Sequence, residues 1–158
     1  MLTKHQVDIH RAIISPQTTF LAIETIPGSG LIRLLLSARA DAKALGFDLY
    51  GLGTSFPTIS LLREAIPNSQ NVFEAIEKHR KRKSLDDCSE KILVVHDASR
   101  LEEDYFDPLI TLACEMGFAK TILVFTKSFG FDLRSNASFQ ALVASGMPVL
   151  PMTQTIGV

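Results

Sequence analysis

The chain has 158 residues, of which 46% are apolar and 21% are charged, and its formal net charge is −1. This length allows one domain with a sizeable core, and the composition is that of a folded chain rather than a disordered one. The small net charge excludes a global basic field that would attract nucleic acid, although it leaves room for a local basic patch.

Nothing in the sequence indicates secretion, membrane insertion or a metal centre. There is no charged-then-apolar signal at the N-terminus, no apolar run long enough to cross a bilayer, and no metal-ligand spacing among the four histidines. Two widely separated cysteines, Cys88 and Cys114, fit buried thiols in a reduced cytosolic protein. Because the chain stops without a closing helix, we expect residues 1–158 to be a single domain excised from a longer protein.

The first third of the chain alternates helix and strand. Residues 2–15 carry apolar positions at helical spacing, and the apolar run at residues 20–23 predicts a strand buried on both faces. Residues 31–45 predict a helix stopped by a glycine, and residues 47–53 predict a second strand.

The middle of the chain continues this alternation. Residues 58–66 and 71–82 predict two helices, which are separated by Pro67 and Asn68. Residues 92–96 form an apolar run that predicts a third strand.

The last third predicts two further units of the same kind. A helix is expected over residues 101–116 and a fourth strand over residues 122–125. A helix over residues 138–145 then leads to a fifth strand that starts at residues 148–150. Strands that alternate with helices predict an α/β fold with a parallel sheet covered on both faces, in which ligands bind beyond the carboxyl ends of the strands.

The loop after the first strand has the setting of a phosphate-binding loop, in which a G-x-x-x-x-G-K-[ST] sequence joins a strand to a helix. Gly28, Ser29 and Gly30 preserve the glycine-rich turn, but Thr25 stands where the first glycine belongs. The lysine that would reach the phosphates and the hydroxyl that would hold magnesium are replaced by two apolar residues. These are Leu31 and Ile32. The loop is therefore either a turn without a ligand or the remnant of a nucleotide-binding loop.

The order of the segments LTKHQ, strand–GSG–helix, GLGTSFPTISLL, ILVVHDASRL and TILVFTKS resembles the first RecA-like domain of superfamily 1 helicases. It is most similar to the helicase part of conjugative relaxase–helicases of the TraI type. This resemblance implies a RecA-like three-layer sandwich with a central, mainly parallel sheet of about five strands. It also implies a bacterial cytoplasmic location.

The same resemblance assigns roles to individual positions. Gln6 matches a glutamine that recognises adenine, and Thr54 and Ser55 fall in a loop that contacts single-stranded DNA. His96 stands where the family has the magnesium-binding aspartate, and Asp97 stands for the water-activating glutamate. His96 is a poor ligand for so hard a cation, so we expect no catalytic residue, no metal and no cofactor in this domain.

Relaxases of the TraI type carry one active helicase region and one degenerate region, and this sequence resembles the degenerate one. In that family the degenerate region binds single-stranded DNA and docks the relaxase onto the coupling machinery of type IV secretion. Both partners are therefore implied here, and the loop at residues 128–133 is one candidate docking surface.

The densest charge run, KHRKRK, begins at residue 78 and is a second candidate for contact with single-stranded DNA. Its candidate residues are Lys78, Arg80, Lys81 and Arg82. A solvated helix end, whose cations favour the helix dipole, explains the same run without a ligand.

Two rival functions remain open from the sequence. An active or nucleotide-binding P-loop ATPase with atypical motifs is favoured by Gln6, Gly28 and Gly30. It is opposed by Leu31, Ile32 and His96. A purely structural spacer would have neither affinity for oligonucleotides nor a partner.

Overall fold

The computed structural model describes residues 4–15, 18–26, 28–82, 87–101, 103–126 and 133–152. The strands are β1 (Phe20–Thr25), β2 (Asp48–Gly53), β3 (Ser69–Asn71), β4 (Lys91–His96), β5 (Lys120–Thr126) and β6 (Val149–Met152). The helices are α1 (Lys4–Ile14), α2 (Leu31–Ala44), α3 (Phe56–Arg63), α4 (Val72–Arg82), α5 (Glu103–Glu115) and α6 (Ala137–Ala144). Short 3₁₀ turns lie at Ala98–Arg100 and Leu133–Ser135.

The six strands form one sheet in the order β3-β2-β4-β5-β1-β6, and every strand pair in the described part of the chain is parallel. This arrangement confirms the predicted α/β fold with its helix-covered parallel sheet. In the described residues, no helix is both long enough and apolar enough to span a membrane.

Two hydrophobic cores lie on opposite faces of the sheet because successive strand side chains point to opposite sides. On β4, Leu93 and Val95 join the core that α4, α5 and α6 cover, whereas Ile92 and Val94 join the core beneath α1, α2 and α3. The molecule therefore has three layers, and the continuous apolar strands of the sequence are those of a sheet buried on both faces.

Two boundaries of the predicted middle region are wrong. The helix expected over residues 58–66 spans Phe56–Arg63 instead. It begins earlier because the Ser55 side chain caps it by accepting from the Thr58 N–H at 3.3 Å. Residues 69–71, which were predicted as a linker and helix start, form the edge strand β3 beside β2. This strand is short and polar, so it has no apolar run to reveal it.

Helix α3 lies unusually close to β2, and two glycines make this possible. A Cβ atom at Gly53 would lie 2.6 Å from Cγ1 of Ile59, and one at Gly51 would lie 2.3 Å from Oγ of Ser69. Any larger residue would push α3 or β3 away from β2. The glycines thus fix the place where α3 begins at the carboxyl edge of the sheet.

At the opposite, amino edge of the sheet, a buried lysine joins β5 to the end of α1. Lys120 is only 3% exposed, and its Nζ donates to the carbonyl oxygens of Ala12 at 2.6 Å and Ser15 at 2.5 Å. Burial lowers the pKa of Lys120 to about 8. Because the last carbonyls of a helix lack intrahelical partners, this side chain satisfies the C-terminal end of α1 and holds it to β5.

Candidate functional site

A cleft of about 860 Å³ opens at the carboxyl edge, between the ends of β1, β4 and β5 and the N-terminus of α2. Its position follows from the topology, because the helix after β1 covers one face of the sheet and the helix after β4 covers the other. In open parallel sheets, ligands bind in a crevice of this kind. The cleft therefore lies where the sequence predicted the functional loops to meet.

Two glycines of the loop after β1 have a left-handed backbone. Gly28 and Gly30 have φ of 79° and 82°, a left-handed conformation that favours glycine. Gly30 is the N-cap of α2, and no side chain among the described residues caps that helix end. Its first N–H groups are therefore available to a ligand in the cleft.

The first two side chains of α2 are apolar, as the sequence requires. Leu31 is 8% exposed and packs in the core beneath α2, while Ile32 is half-buried against the same core. Both residues also line the cleft. Neither hydrocarbon side chain can neutralise a phosphate or bind a metal ion.

Gln6 reaches this loop from α1. Its side chain is 2% exposed, and its Nε2 donates to the carbonyl oxygen of Ser29 at 3.0 Å. Thr25, at the end of β1, places its hydroxyl 3.5 Å from the carbonyl oxygen of Phe125 on β5. Both side chains hold the loop in place, and the adenine contact of Gln6 stays a prediction.

The end of β4 supplies a histidine and an aspartate to the cleft. Burial lowers the pKa of His96 below its ordinary value of 6.5, and this effect outweighs the nearby Asp97 carboxylate, which acts to raise the pKa. The imidazole is therefore mainly neutral at pH 7. The buried Nδ1 of His96 has no hydrogen-bond partner within the described part of the chain. His96 lines the cleft, but this atom itself is covered from solvent.

Asp97 has an unusual backbone and an occupied carboxylate. Its φ of 60° is the one positive value among described residues other than glycine. One carboxylate oxygen accepts from the Ser99 hydroxyl at 2.9 Å, and the other lies 2.8 Å from Nε of Arg100. The described residues contain no group of three or more metal-ligating side chains.

The predicted DNA-contact loop after β2 divides into a buried and an exposed part. Thr54 is 8% exposed and donates its hydroxyl to the Asp97 carbonyl oxygen at 3.2 Å, which ties this loop to the end of β4. Ser55 caps α3 and lies 2.7 Å from the Thr58 hydroxyl. The next residue, Phe56, is 78% exposed.

Phe56 was missed by the sequence reasoning, which concentrated on the polar residues before it. Its position in the sequence could have revealed it, because it begins a helix directly after the loop that follows β2. Its ring is mostly exposed and lies beside the loop that the sequence resemblance assigns to DNA contact.

The basic run lies elsewhere on the molecule. Asn71 pairs with Gly53 at the carboxyl ends of β3 and β2, so α4 starts at the carboxyl edge and runs towards the amino edge. His79 lies 3.3 Å from Glu115, the last residue of α5, which confirms this direction. The structure therefore does not bring the basic run together with Thr54 and Ser55, from which it is separated by most of a helix about 16 Å long.

Within that run the described lysine and arginine side chains are solvated, whereas His79 is buried. Lys78 and Lys81 are exposed, and Arg80 forms an ion pair with Glu77 at 3.1 Å. The side chain of Arg82 lies outside the described part of the chain, as do residues 83–86. Most of the candidate docking loop at residues 128–133 is also outside it, and only Leu133 is described, as a buried residue.

Comparison with solved structures supplies the fold family. The Pif1 helicase of Candida albicans matches with a TM-score of 0.66 and 11% identity, over 99% of this chain and 40% of that one. A Pif1 structure that describes DNA unwinding at forked double-stranded DNA by two coordinating helicases matches with a TM-score of 0.68 and 11% identity, over 99% of this chain and 44% of that one. The chain has the RecA-like fold of helicase domains.

This RecA-like domain spans less than half the length of those helicases. No protein-family model matches it, and no curated protein matches it in sequence. The predicted RecA-like sandwich is thus confirmed, with six strands where about five were expected. The relation to TraI-type relaxases and the loss of hydrolysis stay predictions.

Proposed function

We propose that this RecA-like domain binds single-stranded nucleic acid at the carboxyl edge of its sheet and does not hydrolyse ATP. The observation that carries the binding half is the exposed ring of Phe56, beside the loop that the sequence resemblance assigns to DNA contact. The chemistry of the cleft carries the other half.

Hydrolysis of a nucleoside triphosphate requires cations that offset the charge on the phosphates as it shifts in the transition state. In this cleft the lysine position holds the buried Leu31, and the strand-end position for a magnesium ligand holds the neutral His96. The carboxylate of Asp97 already binds Ser99 and Arg100. Two separate places, the start of α2 and the end of β4, therefore lack the groups that the reaction needs.

The Phe56 ring suits a base of a single strand. Proteins that bind single strands without sequence preference stack bases on aromatic faces, and this interaction tolerates any base because each has a π-face. Pro57 and Leu61 on the same helix are also exposed, and Leu61 extends the apolar surface to the cleft. Helix α3 thus exposes several apolar side chains next to the carboxyl edge.

Fluorescence anisotropy with a labelled oligonucleotide tests the binding surface. Replacing Phe56→Ala should weaken binding about 5- to 100-fold, because stacking contributes roughly 1–3 kcal/mol per base. Leu45→Ala is the matched control, since Leu45 is 59% exposed but follows α2 at the amino edge. Equal affinities for the two variants would remove Phe56 from the binding surface.

The basic run would contribute to oligonucleotide binding through its charge rather than through stacking. Replacing Lys78→Gln and Lys81→Gln should flatten the salt dependence of binding if the strand extends to α4, because each phosphate contact releases counterions. The affinity lost in the Phe56 variant should not depend on salt in this way. Two titrations at different salt concentrations separate the contributions.

Phosphate release tests the loss of hydrolysis against the rival of an atypical ATPase. The purified chain should release no phosphate from ATP and magnesium above the buffer rate, with or without oligonucleotide. Turnover that disappears on replacing Gly30→Ala, where φ is 82°, would establish the rival instead.

The proposal extends to the parent chain by sequence resemblance. There the domain acts as the degenerate helicase region of a TraI-type conjugative relaxase and docks onto the type IV secretion coupling machinery. The support is the order of the motifs and the missing lysine at Leu31. Direct binding between this chain and a purified type IV coupling protein tests the extension, and no binding at micromolar concentrations contradicts it.

A further inference from the structure

One hydroxyl group links the end of β4 to the segment that leads into α3. The parallel ladder of β2 and β4 ends at the pair Gly53 and His96. One residue further along each chain segment, the Thr54 hydroxyl donates to the Asp97 carbonyl oxygen at 3.2 Å. A side chain therefore continues the link between the two strands where the backbone ladder stops. Thr54 is buried, so water competes little for this hydrogen bond.

The acceptor in this link belongs to the residue with the left-handed backbone. With φ of 60° and ψ of 45°, Asp97 turns the chain out of the extended conformation of β4. Its carbonyl oxygen accepts both from Thr54 and from the Arg100 N–H at 3.1 Å. The direction of a carbonyl group is set by the backbone dihedrals around it, so an extended backbone at Asp97 would turn this oxygen away from Thr54.

The path from Thr54 to the exposed ring of Phe56 is short and constrained. Only Ser55 lies between them, and its side chain accepts from the Thr58 N–H at 3.3 Å. Its carbonyl oxygen accepts from the Ile59 N–H at 2.9 Å. Because both hydrogen bonds tie Ser55 to α3, a displacement of Thr54 is passed to the start of the helix and to the ring of Phe56.

We propose that Asp97 is a positioning residue for nucleic-acid binding. Its left-handed backbone holds Thr54, and through Thr54 it holds the Phe56 ring in the orientation that stacks on a base. The inference rests on the binding half of the proposed function and is independent of the loss of hydrolysis. It gives Asp97, which stands at the position of a water-activating glutamate, a role that needs no nucleotide.

The charge of Asp97 predicts an effect of the opposite sign. A carboxylate repels the phosphates of a nucleic-acid strand, and this one also pairs with the guanidinium of Arg100 at 2.8 Å. If only charge mattered, its removal would tighten binding. A loss of affinity would therefore come from the backbone, and variants of equal charge separate the two effects.

Three replacements of Asp97 remove the same charge but differ in backbone preference. Asparagine and glycine adopt positive φ readily, whereas alanine does so at a cost. Asp97→Ala should therefore bind a labelled single-stranded oligonucleotide about three- to tenfold more weakly than Asp97→Asn and Asp97→Gly, a smaller loss than that of the Phe56 ring itself. Asp87→Ala is the matched control, because it removes a carboxylate that accepts from the Ser89 N–H ahead of β4, at the amino edge. It should leave the affinity unchanged.

Two further measurements distinguish positioning of the ring from a general loss of stability. In the Phe56→Ala background, Asp97→Ala should cause no further loss of affinity, because the group through which it acts is already absent. The chain contains no tryptophan, so Phe56→Trp introduces a single indole whose fluorescence is quenched when a base stacks on it. At saturating oligonucleotide this quenching should be smaller when Asp97→Ala is added and unchanged when Asp97→Gly is added. Thr54→Val breaks the same link from the other side and should reduce both affinity and quenching, so it serves if Asp97→Ala does not fold.

The inference is overturned if the three Asp97 variants bind with equal affinity, if Asp97→Ala still weakens binding in the Phe56→Ala background, or if Thr54→Val binds like the native chain. Weak binding by Phe56→Ala together with any of these results would remove this inference alone and leave the proposed function in place. Native affinity of Phe56→Ala would remove the binding half of the proposed function and this inference with it.

Discussion

The two edges of the sheet differ in how far their side chains are buried and hydrogen-bonded. At the amino edge, Lys120 is buried and both of its described contacts satisfy carbonyls at the end of α1. At the carboxyl edge, Phe56 is 78% exposed, Arg33 has no described partner, and Nδ1 of His96 is buried without one. Groups that are satisfied within the chain stabilise the fold, whereas groups without a partner in the chain do not contribute in this way.

The largest expected effect is at the amino edge. Lys120→Met keeps the length of the side chain but leaves two helix-end carbonyls without their donor, which should lower the free energy of unfolding by about 2 kcal/mol. Chemical denaturation measures this, with Lys91→Met as the control. Lys91 also starts a strand, but it is exposed and lies 5.9 Å over the Tyr50 ring, so it should change stability by less than about 0.5 kcal/mol.

The pH dependence of the same residue sharpens the comparison. Burial lowers the pKa of Lys120 to about 8 from 10.5, so between these values the unfolded chain binds more protons than the folded chain. Stability should therefore rise with pH across this window, relative to its value near pH 7. The neutral amine retains two N–H groups, enough for both carbonyls. Denaturation midpoints at pH 7.5 and near pH 10 should rise more for the native chain than for Lys120→Met, and equal changes would contradict a buried titrating amine.

A smaller effect is expected inside the carboxyl edge. Thr54→Val removes the hydroxyl that donates to the Asp97 carbonyl oxygen and should lower the free energy of unfolding by about 1 kcal/mol. Because the side chain of Thr54 is buried, its loss should reduce oligonucleotide affinity less than Phe56→Ala does. The reverse order of affinities would make Thr54 the direct contact that the resemblance implied.

The smallest stability effect belongs to Phe56 itself. Its ring is mostly exposed, so Phe56→Ala should change the free energy of unfolding by less than about 0.5 kcal/mol while weakening oligonucleotide binding. A destabilisation of about 2 kcal/mol or more would mean that the ring packs in the fold, and the contrast between the two edges would then disappear.

The predictions from sequence were most accurate for elements whose burial requires a run of apolar residues. Apolar runs placed five strands, since residues inside a sheet that is covered on both faces are apolar at most positions. Strand β3 was not predicted, because its residues Ser69, Gln70 and Asn71 pair with β2 through the backbone and are polar.

For the candidate site, the sequence predicted the position of the cleft but not the relative positions of the candidate DNA contacts. The loops after β1 and β4 do meet in one cleft, as the rule for parallel sheets requires. The proposed DNA contacts do not lie together, because α4 carries its basic end away from the edge where Thr54 and Ser55 lie. A charge run read along the chain does not show at which edge of the sheet its helix ends.

The amino-acid sequence by itself determined the alternation of elements, the left-handed glycine turn before α2 and the missing lysine at Leu31, because each depends on local side-chain chemistry or backbone freedom. The tertiary structure alone decided which groups are covered. It buried a lysine that a strand start would normally expose, and it exposed the phenylalanine that begins α3. Exposure depends on what packs against a residue from distant parts of the chain, and that information is not present in the residue or its neighbours.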